Sequence, residues 1–292
     1  MDRIDRLGWA AGISFVSYGL RIGIRASKRE VLDRLTDLLP PYTKPARGSR
    51  VQRLYSLVVG RNTRGSNIRR FNMLYVDSVR VARSMQLNEV LDALESDLQL
   101  YVADTARRRL FVHAGVVGWN GRAIVIPGRS HSGKSTLVAA LLEAGATYYS
   151  DEYAVFDEQG RVHPYAKRLT LRHESGWRAG KLQYEHDGGV GVKPLPVGLV
   201  VITNHRAGAR WRPSPMSQAK AVMALLTHTV SVRRQPKRAL AILPRIAAQA
   251  VVLKGARGEA GEMIEYLLSK SDEPESSLSA GIGSERVAAA VG

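Results

Sequence analysis

With 292 residues and a hydrophobic content of 45%, the chain can form one large domain or two modest ones with buried cores. Its 43 Lys and Arg against 26 Asp and Glu leave a net charge of +17, which favours anionic partners, while the absence of cysteine excludes disulfides, thiolate metal sites and thiol catalysis. No stretch reaches the roughly 20 apolar residues of a membrane helix, and the opening MDRIDRLGWAAGISFVSYGL lacks a cationic leader and a cleavage site, so a soluble, cytoplasmic protein without membrane association is expected.

In chain order, ISFVSYGLRIGI (13–24) alternates with a period of two and predicts a strand. SKRE (27–30) predicts a capping box in which Ser27 caps a helix and Glu30 reaches back. Val31, Leu32, Leu35, Leu38 and Leu39 share one face of that helix, and Pro40 and Pro41 end it. VQRLYSLVVG (51–60) and NMLYVDSVRVAR (72–83) predict strands on either side of the polar loop RNTRGSNIRR. In LNEVLDALESDLQLYVADTA (87–106), Val90, Leu91, Leu94, Leu98, Tyr101 and Val102 recur at helical spacing and predict a helix packed on a core. Residues 1–106 therefore read as a small α+β domain.

From Arg107 the rhythm changes to strand, tight turn, strand, glycine-rich loop and helix. LFVHAGVVGW and RAIVIPG flank a turn at Asn120 and Gly121, KSTLVAALLEAG predicts a helix stopped by Gly145, and ATYYS (146–150) predicts a further strand. GLVVITNH (198–205) reads as a buried strand. MSQAKAVMALLTH and RALAILPRIAAQA read as helices, the second interrupted at Pro244. This second domain, 107–270, is expected to be followed by a disordered tail at 271–292, where the composition is small and polar. The arginine clusters at 69–70, 107–109 and 233–234 lack the interleaved aromatics that stack bases, so nucleic acid is the less favoured anionic partner.

Gly128, Arg129, Ser130, His131, Ser132, Gly133, Lys134 and Ser135 match G-x-x-x-x-G-K-[ST], with Thr136 next in line. In this pattern backbone N–H groups wrap a polyphosphate, the lysine reaches its terminal phosphates and the hydroxyl binds Mg²⁺. A random chain of this length matches on the order of once in a hundred, and an apolar strand before the loop and a helix after it lower those odds further. Lys134 is thus assigned to the phosphates and Ser135 to the metal, with Thr136 as a candidate cap. Asp151 and Glu152 close the next strand, 17 positions after Lys134. If that strand lies beside the loop strand and parallel to it, both carboxylates end near the phosphates, where one can bind Mg²⁺ and the other take a proton from an attacking hydroxyl. His113, in LFVHAGVV, is by itself more often a core side chain than a catalyst, and the remaining histidines show no metal-ligand spacing.

His113-Ala114-Gly115 followed by a strand hairpin, the loop at 128–135 and the acid pair at 151–152 together resemble the catalytic domain of the HPr kinase/phosphorylase family over roughly residues 107–255. KRALAILPRIAAQ resembles the G-R-N-L-A segment of that family, which marks Arg238 as an active-site arginine. The resemblance implies an α/β fold with a P-loop core and mixed sheet in the style of phosphoenolpyruvate carboxykinases, and an ATP- and Mg²⁺-dependent kinase acting on a Ser/Thr-type hydroxyl of a protein or peptide. In it Asp151 is the base, tuned by His113; Ser135 and Glu152 bind Mg²⁺; and Lys134 with the loop amides holds the phosphates. A homo-oligomer is also implied, since well-known members form hexamers.

Glu152 stands where the family has aspartate, His131 replaces a usual glycine, and the E-I-R-G-x-G-I signature has no counterpart beyond LTLRHESG (169–176), of which only Arg172 is carried over. HPr itself is therefore not the expected acceptor. Related kinases modify peptides, and a basic surface suits an acidic or already phosphorylated one. The alternatives are a small-molecule kinase of the same fold and a nucleotide-gated module that binds nucleic acid in a steeply salt-dependent way.

Overall fold

The N-terminal apolar run folds back on itself instead of forming one long strand. A computed structural model describes residues 3–48, 50–60, 71–129, 132–167, 169–173, 180–183 and 189–272. In it, β1 (Ala11–Ser17) and β2 (Leu20–Ala26) pair antiparallel about Tyr18 and Gly19, both at positive φ (49° and 81°), as a tight two-residue turn between right-twisted strands requires. A 3₁₀ helix, Arg29–Leu38, then buries Val31 and Leu35. It is followed by β3 (Lys44–Pro45) and β4 (Arg53–Val58). The expected capping box does not form. Lys28 takes the cap position, while Ser27 extends the parallel β2–β4 ladder, its N–H donating to Leu57 O and its Oγ accepting the N–H of Val59.

The run at 72–83 is likewise a hairpin, β5 (Asn72–Val76) and β6 (Val79–Ser84), because Asp77 turns the chain at φ 50°. These strands form one six-stranded mixed sheet in the order β3-β1-β2-β4-β5-β6. Helix α1 (Leu87–Thr105) buries Val90, Leu91, Leu94, Leu98 and Val102, the stripe its spacing predicts. The chain divides between Arg108 and Arg109 into two compact units.

In the second unit, β7 (Leu110–Trp119) and β8 (Arg122–Pro127) pair through a tight turn at Asn120 and Gly121, both at positive φ. Helix α2 (Lys134–Glu143) follows the loop, and β9 (Thr147–Ser150) and β10 (Tyr153–Phe156) then run in succession along the other edge of β7. After β11 (Val162–His163) and the separate hairpin β12 (Thr170–His173) and β13 (Gly180–Gln183) come β14 (Val197–His205), β15 (Ser214–Pro215), α3 (Gln218–His228), α4 (Pro236–Gln249), β16 (Val251–Arg257) and α5 (Ile264–Asp272). The main sheet reads β11-β10-β7-β8-β14-β16-β15, with β9 paired to β7, and is parallel within β8-β14-β16. The unit is α/β with a mixed sheet.

Both faces of this sheet are covered. Val112, Val116, Val125 and Val200 pack under α3 and α4 against Leu225, Ile242, Leu243 and Ile246. Val117, Ile124, Ile126 and Val201 pack on the opposite face with Leu137, Val138 and Leu141 of α2 and Leu267 of α5.

Two expectations at the C-terminal end are corrected. Helix α4 runs unbroken through Pro244, whose missing N–H would have bonded Leu240 on the solvent side, where the free carbonyl is hydrated at little cost. Order also continues past residue 270. Asp272 accepts hydrogen bonds from Trp119 Nε1 (3.2 Å) and Asn120 Nδ2 (2.9 Å), which tie the end of α5 to the β7–β8 turn. The rest of the expected tail, 273–292, lies outside the described residues. Among the described residues no helix is long and apolar enough to cross a membrane.

Candidate active site

The loop begins where β8 ends. Pro127 lies opposite Ala114, and the N–H of Gly128 donates to His113 O at 3.1 Å, so the loop is anchored to β7 at its first residue. The N–H of Ser132 donates to Arg129 O at 3.2 Å, and Lys134 Nζ donates to the same oxygen at 2.8 Å. Ser130 and His131 lie outside the described residues. Ser132 Oγ is buried with no partner among the described atoms, a polar group that a bound ligand would satisfy.

Gly133 caps α2 in the left-handed region (φ 80°), where no side chain is strained least. A Cβ there would also collide with the Arg257 guanidinium, whose Nη2 donates to Gly133 O at 3.0 Å. The expected capping role of Thr136 does not occur. Thr136 is exposed, and α2 has no side-chain cap, so its first N–H groups remain available to an anion.

The acids reach this loop by a route other than the expected one. Strand β9 is not a neighbour of β8. Both lie antiparallel to β7, which separates them, and they therefore run in the same direction. Strands β9 and β10 would make one continuous partner for β7 were they not broken at Asp151 and Glu152. The break faces Ala114, whose N–H donates to Glu152 O at 3.1 Å, directly across β7 from the start of the loop. Gly115 lets α2 press onto β7 here, since an added Cβ would lie 2.7 Å from Val138 Cγ2. The result brings an acid pair to the 128–135 loop with a single strand between them.

The partners of the two acids are exchanged relative to the expectation. Ser135 Oγ lies 3.3 Å from Asp151 Oδ2, and Tyr148 Oη donates to Asp151 Oδ1 at 2.8 Å. His113 Nε2 lies 3.3 Å from Glu152 Oε1. The cause is the break between β9 and β10: Glu152 sits next to Tyr153, which pairs with His113, while Asp151 turns toward the first turn of α2.

Their electrostatics differ accordingly. Burial, with the Glu152 charge beside it, raises the Asp151 carboxyl above its ordinary value against the hydrogen bonds of Tyr148 and Ser135. Burial also pushes Glu152 up, but His113, Lys134 and Lys167 outweigh it and hold Glu152 below its ordinary value. Lys134 is only 7% exposed. Burial lowers its pKa, opposed by Glu152 and Asp151.

A half-buried carboxylate contacted by two hydroxyls, one of them from Ser135, is the hard-oxygen donor set that suits Mg²⁺. Among the described residues no three His, Asp or Glu side chains gather to hold a metal alone, so phosphate and water oxygens would complete the shell.

Arg238 is not placed with the loop and the acids. It donates to Gln235 Oε1 at 2.6 Å and lines a groove of about 540 Å³ with Glu158, Lys237, Ala241, Ile242 and Arg245. The register explains this. Glu158 lies beyond Phe156, which pairs with Leu110 three residues from His113, and α4 packs over that turn through Arg245 Nη1 and Glu158 O. Arg172 lies on β12, and the rest of the 174–176 stretch is outside the described residues.

Sequence reasoning missed Tyr148, Lys167, His228 and Arg257. Tyr148 stands three residues before Asp151 in YYSDE, but nothing in its type marks it as a carboxylate partner. Lys167, His228 and Arg257 arrive from distant parts of the chain. No protein-family model matches the chain, and no curated protein matches it. The functional reading therefore rests on the residues and their geometry.

Proposed function

We propose that the second unit is a phosphotransferase that moves the γ-phosphate of Mg-ATP to a Ser/Thr-type hydroxyl of a protein or peptide. In this reading it is related to the HPr kinase/phosphorylase family, with a phosphoenolpyruvate-carboxykinase-like core, and works in the cytoplasm where Mg-ATP is supplied. One observation carries it: an acid paired with a histidine and an acid paired with the loop serine stand together across one strand from the loop whose sequence matches G-x-x-x-x-G-K-[ST].

Each residue then has one task. The loop amides and the Lys134 ammonium hold the phosphates. Asp151 and Ser135 would hold Mg²⁺, which would supply charge neutralisation to the phosphates. Tyr148 fixes the free side of the Asp151 carboxylate by donating to Oδ1. Glu152, kept ionised by His113, Lys134 and Lys167, accepts the proton of the acceptor hydroxyl as its oxygen attacks the γ-phosphorus and the bond to the bridging oxygen breaks, releasing ADP. His113 orients that carboxylate and stabilises its charge. The net charge of +17 favours an acidic acceptor.

The test is transfer of labelled γ-phosphate from Mg-ATP into a nucleotide-depleted lysate, with wild type beside Lys134→Met and Glu152→Gln. A labelled protein or peptide that appears with wild type alone supports the reading. Label found solely in small molecules, or released solely as inorganic phosphate, overturns the assignment of the acceptor.

A further inference from the structure

Strand β16 brings an arginine to the level of the loop. Val125, Val200 and Val252 lie level across the parallel block β8-β14-β16, so Arg257, five residues further along β16, stands beyond the end of β8 at Pro127. Ligands of open α/β sheets bind outside these carboxyl ends of parallel strands. Leu253 packs in the layer of α2 and α5, and the alternation of a strand puts Arg257 on the same face. Two contacts fix the guanidinium there. Its Nη2 donates to Gly133 O at 3.0 Å, and its Nη1 donates to Gly258 O at 3.0 Å.

This cation is buried without an anion against it. Arg257 is 3% exposed, and among the described residues its Nε has no hydrogen-bond partner and no carboxylate forms an ion pair with it. Burial disfavours its charge, and the charge of the exposed Glu259 opposes this. A guanidinium stays protonated even so, and a buried charge is stable where an opposite charge meets it. Holding the loop does not require that charge, because Gly133 O already accepts the N–H of Leu137 at 3.2 Å. Beside Gly133 lie Ser132 Oγ, also buried without a partner, the uncapped first turn of α2 and the Lys134 side chain. Each of these can meet an anion at the same end of α2.

We propose that Arg257 is a second cation of the phosphate site, placing its buried charge beside a bound polyphosphate while its Nη2 holds the loop at Gly133. The inference rests on the phosphate-binding part of the phosphotransferase reading given above. Its test is equilibrium binding of inorganic pyrophosphate and of Mg-ADP to the full chain, for wild type, Arg257→Lys, Arg257→Gln and Arg257→Met. Lys keeps the charge, Gln keeps a donor for Gly133 O without the charge, and Met keeps only the stem. Loss of a charged contact predicts that Arg257→Gln and Arg257→Met bind both ligands about 10- to 100-fold more weakly. Arg257→Lys should stay within about fivefold of wild type. Binding by the two neutral variants should also weaken less steeply as salt rises, since one fewer charge attracts the ligand.

The Tm of each unliganded variant is read alongside and should lie within about 5 °C of wild type, the loss expected of hydrogen bonds to carbonyls and not of a broken ion pair. If Arg257→Gln and Arg257→Lys bind alike, or Tm collapses together with affinity in every variant, the assignment is overturned: Arg257 then only holds the loop, and the phosphotransferase reading stands. Failure of the wild type to bind either ligand overturns both.

Discussion

Exchanging the partners of the two acids has a measurable consequence, because Glu152→Gln and Asp151→Asn should now fail in different ways. Gln at 152 keeps the size of the side chain and an oxygen for His113 Nε2, which lies 3.3 Å from the carboxylate, but removes the proposed base. Loss of a general base lowers the rate about 10²- to 10⁴-fold, or about 2.7–5.4 kcal/mol of barrier at 1.36 kcal/mol per tenfold. Nucleotide affinity should stay near that of wild type, since the Glu152 side chain is 45% exposed and lies on the histidine side of the break.

Asn at 151 keeps one oxygen, which serves Tyr148 or Ser135 but not both because these hydroxyls donate to different carboxylate oxygens, and it weakens the proposed metal site, so half-saturation in Mg²⁺ should rise at least about tenfold. Raising Mg²⁺ should then restore much of the rate of Asp151→Asn and none of that of Glu152→Gln. Single-turnover transfer across a Mg²⁺ titration reads both. Near-normal transfer by Glu152→Gln, together with a loss in Asp151→Asn that Mg²⁺ does not rescue, would refute the exchanged roles and restore Asp151 as the base.

Three further outcomes follow from the same contacts. Lys134→Met keeps the buried stem and removes an ammonium whose charge is disfavoured by burial. Mg-ATP affinity should therefore fall about 10- to 100-fold with no loss in Tm. Gly133→Ala should cost about 1–2 kcal/mol from the left-handed backbone alone. The collision with Arg257 adds to that, so both Tm and nucleotide affinity should drop; unchanged values would show that the loop does not need φ 80°. Asp157 accepts the N–H groups of Gln159 and Arg161, the Arg161 Nε and His163, and although burial pushes its carboxyl up, these bonds hold it below its ordinary value. Its folded pKa lies below the unfolded one, so its stabilisation is complete above about pH 4 and disappears as pH falls through the depressed value. Asp157→Asn should cost about 1–3 kcal/mol at neutral pH, read as about 2–4 °C in Tm per kcal/mol. The gap between wild type and variant should close in thermal scans below pH 4.

Local chemistry made much of the fold readable. The stripe from Val90 to Val102 gave α1, the turn at Asn120 and Gly121 gave β7 and β8, and the loop motif placed α2, because each signal lies within a few residues of what it determines. The misread elements are those where long-range pairing overrode a local signal. The turns at Tyr18-Gly19 and Asp77-Ser78 sit inside runs whose alternation reads as continuous strand, yet the six-stranded sheet folds the chain back at both, and Ser27 gives up a cap to extend a ladder with β4. Likewise, Pro244 does not interrupt α4, because the carbonyl it leaves free points to water.

The site divides along the same line. The gathering of Lys134, Ser135, Asp151, Glu152 and His113 was legible, since the loop motif and two adjacent acids are dense in a short span of chain. Which acid meets which partner was not, because that depends on the break between β9 and β10, and adjacent residues of such a break project to different sides. A continuous strand would have put Asp151 and Glu152 on opposite faces of the sheet, with one unable to reach the loop. The break turns both toward α2 and β7 and separates them by environment instead, Asp151 buried against hydroxyls and Glu152 against His113 with Lys134 and Lys167 nearby. Two neighbouring carboxylates thereby differ in proton affinity, Asp151 shifted up and Glu152 shifted down, and the downward shift keeps Glu152, the base of the proposed reaction, ionised at neutral pH.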